Sequence, residues 1–99
     1  MPRLELEPEV LDDFDQIFDH AAAFDPIGAA DRIRAIIEAL DVLSSNPFIG
    51  RPVPGGKREL VIGKQGRGYV ALYRYAQPVD IVFVLAVRAQ REAGQRREA

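Results

Sequence analysis

The stretch from Arg58 to Arg88 reads RELVIGKQGRGYVALYRYAQPVDIVFVLAVR. Three apolar runs rich in Val, Ile, Tyr and Phe are separated by two turn signals, Gly-Lys-Gln-Gly-Arg-Gly and Gln-Pro-Val-Asp. Such residues suit a pleated surface and the connections are short, so the pattern predicts a three-stranded antiparallel meander. The last run, Ile81 to Val87, is apolar at every position. A strand without a polar face is expected to be covered on both sides. Arg58, Arg74 and Arg88 belong to these runs. A guanidinium in a buried strand is costly unless it is paired or reaches water, so the function turns on where the three point.

Upstream, Arg3-Leu4-Glu5-Leu6 alternates apolar with charged, as in a short edge strand. Pro8 suits the first turn of a helix, and Val10, Phe14, Ile17, Phe18 and Ala21 then follow helical spacing. Asp12, Asp13, Asp15, Gln16 and Asp19 are assigned to its solvent side. Asp25-Pro26 breaks this helix and starts the next, with aspartate as cap and proline in the first turn. Ile33, Ile36, Ile37, Leu40 and Leu43 form the second stripe. Ser44-Ser45-Asn46-Pro47 stops it, because the residue before a proline leaves the helical region. Two helices with one apolar stripe each must form a hairpin and lie on the sheet. Phe48 to Gly56 reads as a loop, with Phe48 and Ile49 tucked into the core. After Arg88 the chain turns polar and is expected to fray after at most one helical turn. The fold class expected is α+β: an N-terminal strand, an antiparallel helical hairpin, then the three-stranded meander, all in one domain spanning 1–99.

Composition narrows the chemistry. Ninety-nine residues with 47% hydrophobic content suit a single packed domain. With no cysteine and one histidine, neither a disulfide frame, a thiolate site nor a multi-histidine metal site is available, and no cofactor is called for. The start, MPRLELEPE, has no basic-then-apolar leader, and no apolar run approaches the roughly 20 residues needed to span a bilayer. A cytoplasmic protein without membrane contact is expected. Residues 1–49 carry 3 basic and 11 acidic side chains, and residues 50–99 carry 10 and 4. Balances of −8 and +6 lie behind the net −2, so the basic half suits phosphates or an acidic partner unless the halves neutralise each other.

Several motifs then coincide in order. Asn46-Pro-Phe-Ile-Gly-Arg-Pro-Val follows the hairpin; Arg58-Glu-Leu, Gly68-Tyr69, Leu72-Tyr73-Arg74 and Val87-Arg88-Ala-Gln-Arg91-Glu92 succeed it. This set resembles the ParE branch of the RelE/ParE toxins of bacterial type II toxin–antitoxin systems, over nearly the whole chain. The resemblance implies a toxin neutralised by an antitoxin whose C-terminal segment wraps around it. One branch of the superfamily cleaves messenger RNA on the ribosome. The ParE branch inhibits DNA gyrase, leaving broken DNA.

Chemistry separates the two activities. Cleavage by 2′-hydroxyl attack needs proton transfer and stabilisation of charge on phosphorus. The nuclease branch has arginine after Gly-Tyr and a tyrosine near its C-terminus. Here Val70 follows Gly68-Tyr69, and no Tyr, His or Lys occurs after Arg88. Arg58 and Glu59 stand where that branch has lysines, and arginine stays protonated. A toxin that acts by binding is expected, with no catalytic residue of its own. Arg58, Arg88 and Arg91 are the candidates for a basic target-binding surface, touching nucleic acid only within a gyrase–DNA complex. Arg58 has the alternative of a structural ion pair, and Arg91 that of a solvated tail. Arg74, Tyr69 and Tyr73 are assigned to antitoxin contact or structure. Arg88 is placed on the face of Val82, Val84 and Ala86. His20 and the aspartates of the first helix read as ordinary surface groups. The sheet edge and the hairpin–sheet groove are open to a ParD-like antitoxin, two toxins binding one antitoxin dimer. The alternatives are a ribosome-dependent endoribonuclease using Arg58, Arg74 and Arg88, and an inactive relic that only binds antitoxin.

Overall fold

The computed structural model describes residues 1–63 and 68–90. The predicted C-terminal turn, Arg91 and most of the Gly-Lys-Gln-Gly-Arg-Gly connection lie outside them. Strand β1 (Arg3–Leu6) leads into α1 (Pro8–Phe24) and α2 (Pro26–Leu40). A short α3 (Val42–Ser45) follows, and then strands β2 (Arg51–Val53), β3 (Lys57–Ile62), β4 (Tyr69–Ala76) and β5 (Ile81–Ala89). Both helices begin where proline begins, because its missing N–H leaves no helical bond unmade there. Asp25 Oδ1 accepts the Gly28 N–H at 3.0 Å, which caps α2 as its sequence predicts.

The sheet has the order β1-β5-β4-β3-β2, with β1 parallel to β5 and the other pairs antiparallel. The meander therefore gains a strand that the loop reading missed. Arg51–Val53 pairs with Lys57–Glu59 across a turn in which Gly55 and Gly56 take φ of 89° and 72°, a region open to glycine. The two edges differ in kind. Pro52 removes a donor from β2, whereas β1 keeps all of its N–H groups, so an added strand suits the β1 edge better.

The hairpin covers one face of the sheet. Val10, Phe14, Ile17, Ile36, Leu40 and Leu43 pack on Ala71, Tyr73, Val82, Val84 and Val87. Burial of a Val- to Leu-sized side chain contributes about 1.5–3 kcal/mol each, so this layer dominates stability. Phe18 and Ile37 lie at the margins of their stripes and are exposed. The expectation that Ile81–Val87 is covered on both sides holds only on the helix side. Among the described residues the opposite face, with Leu72, Arg74 and Phe83, is half-buried or exposed.

Two local features redirect side chains. Leu72 pairs with Ala86 but Tyr73 with Val84, so Leu85 bulges without a partner. The bulge shifts alternation by one residue. Val87, not Ala86, joins Val82 and Val84 in the core, and Arg88 does not share their face as the unbroken pattern predicted. Phe48 and Ile49 are also corrected. They are 53% and 49% exposed rather than tucked in.

Candidate functional site

Asp13 is the polar residue that sequence reasoning misplaced. It stands three residues after Val10 and four before Ile17, inside the apolar stripe of α1, and is 6% exposed. That spacing was the available signal; the surrounding aspartates masked it. β1 ends opposite Val84, which accepts the Glu7 N–H at 3.0 Å, and beyond that point β5 has an unpaired edge. Asp13 takes over there. Its Oδ2 accepts the Val87 N–H at 2.9 Å, and its Oδ1 accepts from Arg88 Nη1. One carboxylate thus replaces a ladder partner and neutralises the arginine, and an unpaired buried charge is avoided.

The Asp13–Arg88 pair forms one wall of a groove of about 280 Å³ between α1 and the ends of β4 and β5. Gln16, Ile17, His20, Tyr69, Val87 and Ala89 complete the lining. Tyr69 is half-buried, and its hydroxyl accepts from Arg32 Nη1 of α2 at 3.4 Å. His20 is exposed, with its ring edge-on to Phe24 at 5.4 Å. The groove lies at the hairpin–sheet junction, where two amphipathic helices leave the end of the sheet incompletely covered. His20 gave no signal in the sequence, because its place on the groove depends on the angle at which α1 crosses β5.

A second cluster surrounds Tyr73, which is fully buried. Its hydroxyl accepts the Gly50 N–H at 2.8 Å and donates to the Pro47 carbonyl at 2.9 Å. Arg58 lies opposite Tyr73 in the β3–β4 register, on the helix side of the sheet. Its Nη1 donates to the carbonyls of Phe48 at 3.1 Å and Gly50 at 2.8 Å, and its guanidinium lies 5.1 Å from the Phe48 ring centroid. Only glycine fits at position 50. A Cβ there would meet the Tyr73 hydroxyl at 2.6 Å and the Glu59 carbonyl oxygen at 2.8 Å.

The predicted site residues are therefore not one cluster. Arg58 is turned onto loop carbonyls and Arg88 onto Asp13, while Arg91 lies outside the described residues. Arg74 sits exposed on the open face, its guanidinium 5.9 Å from the Phe83 ring centroid. Tyr69, Tyr73 and Tyr75 share the helix side, as alternation predicts, and all three pack in or against the core. Among the described residues no group of three or more His, Cys, Asp or Glu side chains is placed to hold a metal ion. No helix among them is long and apolar enough to cross a membrane.

Tyr75 donates to Asp80 Oδ1 at 2.6 Å, and Asp80 takes a left-handed φ of 55°. The hydrogen bond to the carboxylate, then desolvation and the negative charge, push Tyr75 ionisation above its ordinary 10.0. The folded protein therefore holds this proton to higher pH than the unfolded chain. The stability it adds is complete below pH 10 and is lost as pH rises through the raised value. In Asp80→Gly, which suits the left-handed backbone, phenolate absorbance should show one tyrosine titrating at lower pH than in the wild type. An unchanged titration would refute the assignment.

Comparison with known proteins agrees with this architecture. A chain in the structure of the chromosomal ParDE toxin–antitoxin system from P. aeruginosa is 24% identical, with 90% of this chain and 96% of that one covered, and superposes with a TM-score of 0.77. The toxin–antitoxin complex RelBE2 from Mycobacterium tuberculosis gives 20% identity, 91% and 100% coverage, and a TM-score of 0.64. The intact E. coli RelBE complex gives 16%, 90% and 96%, and 0.62. At these identities the likeness concerns the fold. No curated relative matches the sequence. A family model described as the ParE toxin of the type II toxin–antitoxin system, parDE, matches residues 4–94, and the chain therefore belongs to the ParE toxin family.

Proposed function

We propose that this toxin acts by binding, inhibits DNA gyrase without a chemical step of its own, and is silenced by a ParD-like antitoxin seated in the groove between α1 and the sheet. The state of the arginines supports this reading. Arg88 is held by Asp13 and Arg58 by two carbonyls, so each serves as a fixed hydrogen-bond donor. A guanidinium that never loses its proton cannot shuttle one. Solved complexes of similar fold carry an antitoxin. Here the groove's apolar wall of Ile17, Val87 and Ala89 suits the apolar face of an antitoxin helix, two toxins sharing one antitoxin dimer.

Purified gyrase supercoiling relaxed plasmid should be inhibited by the free toxin, with cleaved DNA accumulating. Unimpeded supercoiling without cleaved DNA would reject the reading. One observation favours the nuclease alternative: His20, whose ring nitrogens can donate and accept hydrogen bonds, lines the same groove as Arg88. Codon-specific cuts in a translated messenger, absent with His20→Gln, would establish that alternative instead.

A further inference from the structure

Two large apolar side chains, Phe48 and Ile49, stand adjacent in the loop between α3 and β2 and are about half exposed. A free loop would turn them inward or sample many conformations. This one is held by four hydrogen bonds: two at the Tyr73 hydroxyl and two from Arg58 Nη1. Glycine at position 50 makes the close approach possible. The Phe48 ring is further fixed edge-on against Tyr75, with centroids 5.3 Å apart. The four bonds that close the turn reach backbone atoms of Pro47, Phe48 and Gly50 from Tyr73 and Arg58, and none of them needs an apolar side chain at 48 or 49. The arrangement holds apolar surface in water in one conformation, which is the condition for a preorganised binding contact.

We propose that Phe48 and Ile49 form a rigid knuckle by which the toxin engages its protein target, with Arg58 and Tyr73 as positioning residues that hold it out. The inference rests on the gyrase-binding reading above. The partner surface it fits is an apolar cleft bordered by acidic side chains. Arg51, Lys57 and Arg58 flank the knuckle and outnumber the adjacent acid Glu59, which pairs with Arg51 at 2.6 Å, so its surroundings stay net positive. Aromatic anchors with a charged rim are the usual centre of a protein interface. Nucleic acid fits less well. Base stacking needs a free ring face, whereas the Phe48 ring has the Arg58 guanidinium over it and Tyr75 against it, and Ile49 has no ring to offer. The knuckle is built from the α3–β2 loop, β3 and β4, and shares no residue with the groove at α1.

The test compares wild type, a Phe48→Ser/Ile49→Ser double variant, Arg58→Gln and the triple variant in supercoiling by purified gyrase. Thermal unfolding of each serves as the folding control. The double variant should unfold near the wild-type temperature yet need at least about tenfold more toxin for half-inhibition, equivalent to roughly 1.4 kcal/mol of binding. Arg58→Gln should weaken inhibition less, and should add little on top of the double variant, because it acts through the knuckle. Full additivity would show Arg58 touching the target itself and overturn its positioning role. Undiminished inhibition by the folded double variant would overturn the knuckle while leaving gyrase as target. A wild-type protein that leaves gyrase untouched would overturn both. Binding of wild type to a bare DNA duplex, lost in the double variant, would replace the protein contact with a nucleic-acid one.

Discussion

Asp13→Ala is expected to cost about 2–4 kcal/mol of folding stability, read from equilibrium urea denaturation. The Val87 N–H would lose its acceptor at a strand edge that β1 does not reach. The Arg88 guanidinium would lose its countercharge. Removing one partner of a fully buried pair costs about 3–5 kcal/mol. The Arg88 side chain is 28% exposed, so water recovers part of that loss and brings the expected cost down to about 2–4 kcal/mol. Asp13→Asn keeps a neutral acceptor for Val87 and should cost about half as much. In an Asp13→Ala/Arg88→Ala double variant the two losses should fall short of their sum, because each single change already breaks the shared contact. A loss below about 1 kcal/mol for Asp13→Ala would mean that the edge of β5 is held by something else.

Tyr73→Phe is the second large effect, expected at about 2–3 kcal/mol. The ring would stay, and the core packing around Val84 with it. The change removes one oxygen that serves two backbone groups 23 and 26 residues away. The Gly50 N–H, buried at 2.8 Å from that oxygen, would be left without a partner, and an orphaned buried donor costs about 1–3 kcal/mol by itself. The loss should also be local. Hydrogen exchange at the Gly50 amide is expected to accelerate more than exchange at core amides of β4 and β5. Uniform acceleration would show that Tyr73 contributes only to global stability and does not fix the loop.

The elements of the hairpin and of the long strands were legible because each depends on local spacing. Val10, Phe14, Ile17 and Ala21 repeat with the helix, and the Asp25-Pro26 break is a backbone matter decided by two residues. The family likeness was legible for the same reason: its motifs are ordered along the chain. β2 was not, because three residues containing a proline carry no strand signal until β3 supplies a partner. Nor were the exposed positions of Phe48 and Ile49. Hydrophobicity places such residues inside by default, and hydrogen bonds from the side chains of Arg58 and Tyr73, on strands that follow the loop, hold them out.

The chain by itself determined the two amphipathic helices, the order of strands β3 to β5 and the split of charge between its halves, since periodicity and turn chemistry act over a few residues. Only the tertiary structure decided what the charges do. A bulge at Leu85 moves Arg88 off the face that alternation assigns it, and the end of β1 leaves an edge that Asp13 fills. Arg58 is turned inward because two carbonyls lie within reach. Each of these outcomes depends on groups far apart in sequence and close in space, where satisfying a buried polar atom outweighs local preference.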